Sequence, residues 1–251
     1  VSNAQESKLT DEEKAKAIEQ HFEDHFGPQV ELDPELAECL YEDEAMGASA
    51  IKHPLVFSLF HHERLNHMVN EQLRQKTEAL DRAIADEAWN TYCFIHERPY
   101  RLDAFWNIKD KIEDDATYWD VLGSIWTDSE NIWQSEDEWV ECLSSDRPGR
   151  ENMMEEWERE RLAALPETVE VFRGYQREDR ENGCSWSIDR DKARWFAQRL
   201  WIPERGGRPM LATANVSREK IVAFFDGRQE HEVVILPGDA TISETEEVEV
   251  E

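Results

Sequence analysis

The chain has 251 residues, enough for one large core or two small ones. It carries 57 acidic against 28 basic residues, a formal charge of −29, which repels phosphate backbones and favours basic partners. Nucleic acid is thus an unfavoured partner, no apolar run approaches the roughly 18 residues of a membrane span, and no basic segment followed by a short apolar one marks a signal peptide.

The four cysteines, Cys39, Cys93, Cys142 and Cys184, lie far apart without CxxC spacing. Neither a disulfide framework nor a zinc ribbon follows, and a reducing cytoplasm is the expected location.

The first part of the chain predicts helices. In "LTDEEKAKAIEQHFEDHFGP", Thr10 and Glu13 form a capping box and Gly27-Pro28 a stop, so a helix is expected over 11–26. Asp33-Pro34 starts another, ending near Gly47. Pro54 opens an apolar-periodic segment through Leu59, Leu65, Val69, Leu73, Leu80, Ile84 and Ala88, read as one long helix or two before Pro99, with no strand-like alternation. It holds His61, His62, Glu63 and His67. Glu63 and His67 have the four-residue spacing that can chelate a metal on a helix, but no third and fourth ligand accompanies them, so no metal is expected.

In "YWDVLGSIWTDSENIWQSEDEWVECL" bulky pairs recur every seven residues: Tyr118-Trp119, Ile125-Trp126, Ile132-Trp133 and Trp139-Val140. Such a repeat predicts a stripe for core packing along a helix or helix pair, in preference to base stacking or a cofactor box. The polar inset 128–131 suits a cap where a helix restarts. Pro148-Gly149 breaks the pattern, and one more helix follows in "ENMMEEWERERLAAL", stopped by Pro166. An acidic helical domain is expected over 1–145 and a second domain over 146–251.

After Pro166 the runs "VEVFRGYQ", "GCSWSI", "RPMLATANV", "KIVAFF" and "EVVILPG" are short, β-rich and bounded by turn residues. One helix lies among them, capped by Ser187 or Asp189, with Ala193, Phe196, Ala197 and Leu200 as its apolar stripe. This order predicts an α+β fold: a helical region followed by a small mixed sheet with a helix packed on it. In "RQEHEVVILPG", strand alternation would put Glu230 and Glu232 on one face and turn His231 away.

Three of these features occur together in one order. Arg173 is followed by Gly174; Ser185-Trp186-Ser187 runs into a helix bearing Ala193, Phe196 and Ala197; and Glu230-His231-Glu232 opens the last run. Over about residues 171–237 this resembles the mono-ADP-ribosyltransferases of the R-S-E class. The "SENIW" segment is similar to one in uncharacterised phage and prophage proteins.

The resemblance implies NAD as co-substrate and an exposed arginine on a basic protein as acceptor, in the manner of a phage- or toxin-like effector. It implies that Glu232 is catalytic, holding the ribose and its developing cation, that Ser185 positions Glu232 and the ribose, and that Glu230 orients the acceptor guanidinium. Arg173 would fork onto the NAD phosphates and the Gly174 backbone would clamp the nicotinamide amide, with Ser187 and Phe196 completing the cofactor site. Trp186 and Phe196 suit core packing as well as stacking on nicotinamide. Phe224, Phe225 and the turn "DGRQ" suit either a substrate-facing lip or a buried strand end and hairpin. The 11 residues between Arg173 and Ser185 imply a trimmed crevice. Transfer to nucleic acid, NAD glycohydrolysis, and a catalytically inactive acidic interaction protein remain as alternatives.

The chemistry explains why these residue types suit one another. Cleaving the nicotinamide–ribose bond creates an oxocarbenium-like sugar, which a carboxylate stabilises in the transition state. A planar permanent cation matches phosphate oxygens. A second carboxylate can orient a guanidinium and take its proton during attack.

Overall fold

A computed structural model describes residues 29–44 and 47–249, together with Thr10, Lys16, Gln20 and Gly27. Of the helix expected over 11–26, Lys16 and Gln20 are described and helical, and the rest lies outside the described residues. The chain divides into two compact units, 1–86 with 95–97 and 87–94 with 98–251. Residues 145 and 146, where the sequence reading set its boundary, both lie in the second unit.

The first unit corrects the all-helical expectation. Asp33 caps helix α1, Pro34–Ala37, by accepting from the Glu35 N–H, but the helix stops after one turn. Strands β1 (Leu40–Asp43), β2 (Ala48–Lys52) and β3 (Phe57–His61) form an antiparallel sheet in that order. Gly47, read as a helix stop, has φ +61° and closes the hairpin instead. Helix α2 begins only at Asn66 and runs to Ala85. Val69 and Leu73 on one of its faces meet Leu36, Ile51, Leu55 and Val56 in a small core. The aromatic and aliphatic run before it pairs as a strand, with Phe57, Leu59 and Phe60 exposed. Glu87, at φ +52°, separates α2 from α3 (Trp89–Ile95), so the long segment is two helices.

The second unit is α+β. Besides nearly all of α3, its helices are α4 (Arg101–Ile108), α5 (Asp115–Asp128), α6 (Glu136–Leu143), α7 (Glu156–Ala163) and α8 (Arg190–Gln198). Asp114 caps α5 through the Thr117 N–H, and Asn131, at φ +56°, turns the chain before it restarts. The aromatic repeat is core, as expected: Tyr118, Trp119, Ile125, Trp126 and Trp139 are all buried. Trp133 lies on the surface.

The sheet comprises β4 (Thr168–Tyr175), β5 (Ser185–Ser187), β6 (Met210–Ser217), β7 (Ile221–Phe225), β8 (Glu232–Ile235) and β9 (Thr241–Glu247). Their order is β7-β8-β5-β4-β6-β9 and every pairing is antiparallel, so the sheet is not mixed. Alternation along β4 sends Val169 and Val171 into one large core with Trp119, Trp126 and Phe224, and Phe172 into a smaller one with Ala193, Ala197 and Leu211. Helices 89–143 and the sheet thus share a single apolar cluster. No helix among the described residues is long and apolar enough to cross a membrane.

Candidate functional site

Arg173, the Ser185/Ser187 pair and Glu232 fall on three strands that are neighbours in the sheet, β4, β5 and β8. Ser187 lies directly opposite Glu232, with Ser185 one diagonal step away. The Ser185 hydroxyl donates to Glu232 Oε1 at 2.5 Å, a short charge-assisted bond when the carboxylate is ionised. Glu232 is 7% exposed. Burial raises its pKa; the Ser185 bond, the nearby Arg228 cation and the neighbouring Trp126 indole oppose this and Glu230 adds to it, with the balance upward. Removing a carboxylate from water disfavours its charge, and the opposing groups offset only part of that cost, so the net shift is upward.

Glu230 reaches the same place by a different route from the one expected. β8 begins at Glu232, so Glu230 sits in the preceding turn between two left-handed residues, Gln229 (φ +56°) and His231 (φ +48°). Such backbone is unfavourable for side-chain-bearing residues and persists when surrounding bonds over-determine it. Here Gln229 N–H donates to Asp226 O (2.9 Å), His231 N–H to Asp226 Oδ1 (3.1 Å) and Ser187 Oγ–H to Glu230 O (2.8 Å). Asp226 N–H in turn donates to Glu158 Oε1 at 3.0 Å. Glu158 is buried and also closes the capping box of α7 with Glu155. The His231 ring stands 2.8 Å from Asp226 Oδ1, at ion-pair distance without hydrogen-bond alignment, and lines neither cavity described below. Its ring is thus held against Asp226, and the turn, not strand alternation, places it.

Glu230 and Glu232 both line a cavity of about 850 Å3 bounded by α5, residues 152–159 and the turn 225–228. Asp114, Asp120, Glu155, Glu156 and Glu158 also line it, against two cations, Arg159 and Arg228. Burial, then Glu155, raises the Asp120 pKa. Trp157, Met153 and Met154 supply apolar wall. Arg228 Nη2 pairs with Glu230 at 3.0 Å, and both residues also line a second cavity of about 380 Å3, with Asp189, Asp191, Lys192 and Trp195.

The remaining site residues lie elsewhere. Arg173 is half-buried, and its guanidinium donates to the carbonyls of Arg180 (2.9 Å, from Nε) and Ser185, bracing the β4–β5 connection. Burial lowers its pKa, opposed by Glu136, Cys184 and Glu232. It lines neither cavity, because its fork is occupied by backbone. Gly174 faces α8: a Cβ there would lie 2.0 Å from Ala193 O, so close helix packing accounts for the glycine. Phe196 is half-buried, edge-on to Trp195, and Trp186 is buried with its N–H on Gly183 O at 2.7 Å. Phe224 and Phe225 are buried strand residues, and Phe225 lines the large cavity together with Gly227 and Arg228 of the turn.

Sequence reasoning missed Trp126, whose repeat signalled burial but not a place beside Glu232. It also missed Glu158, for which no motif gave notice. Among the described residues no group of three or more His, Cys, Asp or Glu is placed to hold a metal. No family model, curated protein or solved structure matches the chain.

Proposed function

We propose that the second unit is an NAD-dependent mono-ADP-ribosyltransferase acting on arginine of a protein target. The observation that carries this reading is the buried Glu232, bonded by Ser185 and opening onto a cavity that it shares with Glu230. Glu232 stabilises the ribosyl cation as the C1′–N bond breaks, and nicotinamide leaves with the electron pair that neutralises its ring. A guanidinium nitrogen attacks C1′ and its proton passes to Glu230. The carboxylate-rich cavity suits a cationic acceptor. Ser187 and the Asp226–Glu158 chain act as positioning groups by fixing the turn that carries Glu230. Arg173 contributes as a brace for Ser185 and not as a free phosphate ligand.

The test is incubation with labelled NAD and a cell extract, comparing wild type with Glu232→Ala. Label transfer or nicotinamide release by wild type alone supports the proposal, and neither from either protein overturns it. Protease-sensitive label released by arginine-directed chemistry identifies the acceptor; nuclease-sensitive label or free ADP-ribose would move it to nucleic acid or water.

The excess of carboxylates over cations in the large cavity favours one second reading, a non-enzymatic module that captures a basic segment. It requires salt-sensitive capture of a basic peptide that Glu232→Ala leaves intact while NAD is untouched.

A further inference from the structure

The two cavities meet at the Arg228–Glu230 pair but differ in charge and wall chemistry. The large one presents seven carboxylates to two arginines. A pyrophosphate lying there would face strong repulsion inside low-dielectric walls. The small one presents three carboxylates, and two of these are already engaged. Asp189 Oδ1 accepts from the Asp191 and Lys192 N–H groups at 2.8 and 3.2 Å, and Glu230 pairs with Arg228. Lys192 and Arg228 are the cations on this wall, and Arg228 is the one shared with Glu230, so a phosphate there would compete with that carboxylate for it.

The wall also carries an indole that the core does not need. Trp195 is 51% exposed, although Phe196 meets it edge-on at 5.0 Å and the Arg199 guanidinium lies 5.1 Å from its ring centre. A large aromatic ring fixed in place and left open beside two cations is suited to stack a planar base whose phosphates those cations meet. A cavity of 380 Å3 is of ligand size, within the usual range of about 300–1,000 Å3.

Resting on the reading above, we infer that the small cavity binds the adenosine-phosphate half of the dinucleotide, with its base on Trp195 and its phosphates toward Lys192 and Arg228. The ribose that reacts then reaches Glu232 past the Arg228–Glu230 rim. The large acidic cavity is left for the acceptor. This gives the cofactor an anion-tolerant path that does not use Arg173.

The experiment uses the full chain with Trp195→Ala, Lys192→Ala and, as control, Trp133→Ala, an exposed tryptophan outside both cavities. Calorimetric titration with ADP-ribose and with AMP is expected to weaken about tenfold in Trp195→Ala, the size of one base–aromatic stack, and to weaken in Lys192→Ala in a salt-dependent way. The KM for NAD rises in parallel with kcat little changed, and Trp133→Ala matches wild type. Wild-type binding of ADP-ribose and AMP that neither variant weakens overturns the inference, even with NAD turnover intact. ADP-ribose and AMP binding lost in Trp195→Ala, in a protein that never consumes NAD, supports this site and removes the catalytic reading. Absence of all nucleotide binding by wild type overturns both.

Discussion

Replacing Gly174 with alanine separates two accounts of that glycine, a helix-packing contact and a clamp on nicotinamide. The added Cβ would lie 2.0 Å from Ala193 O and 2.5 Å from Ala197 N, where ordinary contact begins at 3.4 Å. Both atoms belong to the α8 backbone, so no side chain can rotate aside, and the helix must retreat from β4 by well over an ångström. That retreat opens the core of Phe172, Ala193, Ala197 and Leu211. Overpacking costs about 1–3 kcal/mol where side chains can yield, so about 3 kcal/mol or more is expected here. For a unit of this size this lowers Tm by roughly 6–12 °C.

All ten tryptophans lie in the second unit, so urea unfolding followed by tryptophan fluorescence reports that unit alone. Gly227→Ala is the matched control, because nothing lies within 4 Å of its added Cβ. It is expected to gain about 0.4–1 kcal/mol from the stiffer unfolded chain. A Gly174→Ala protein within about 0.5 kcal/mol of wild type would refute the packing argument.

Glu232→Gln tests the cost of the buried charge. The folded carboxylate has its pKa raised by burial, so as pH climbs from its ordinary value the unfolded chain releases this proton first and the folded chain keeps it. Its contribution to stability therefore falls as pH rises above the ordinary carboxylate value, and the glutamine variant gains on wild type over that rise; urea midpoint differences that do not change with pH would contradict this. Ser185→Ala removes the donor at 2.5 Å, which costs the ionised carboxylate about 1.5–3 kcal/mol. The acid limb of the NAD-cleavage profile is expected to move to higher pH, and an unmoved limb counts against the positioning role. Arg173→Lys loses the fork that satisfies two carbonyls, an expected loss of about 1–3 kcal/mol in the same urea assay. A residue serving only a bound phosphate would leave the free protein's stability unchanged.

The last third of the chain was readable because its strands are short apolar runs between Gly, Pro and Asp, which only a buried sheet accommodates. The nearness of Ser185 to Glu232 was readable from motif order. Glu230 was placed correctly beside Glu232 but for the wrong reason, since two left-handed residues without a glycine leave no compositional trace. The hairpin 40–52 was misread because Asp33-Pro34 is a sound helix start and nothing local announces that it lasts one turn. β9 was not read: its "TISETEE" pairs by backbone at a sheet edge, and edge strands carry charged side chains that resemble a solvated tail. The nearness of Trp126 to Glu232 joins distant parts of the chain, and only tertiary packing specifies it.

That helices 89–143 and the sheet bury one another has a practical corollary for dissecting the protein. A fragment beginning at 146 would retain Arg173, Ser185 and Glu232 while exposing Val171, Phe224 and Val233 to water and leaving Glu232 without its neighbouring indole. Its inactivity would say nothing about those residues. The shortest piece with an intact hydrophobic complement starts near residue 87, and separately made 87–145 and 146–251 halves should regain solubility only when mixed.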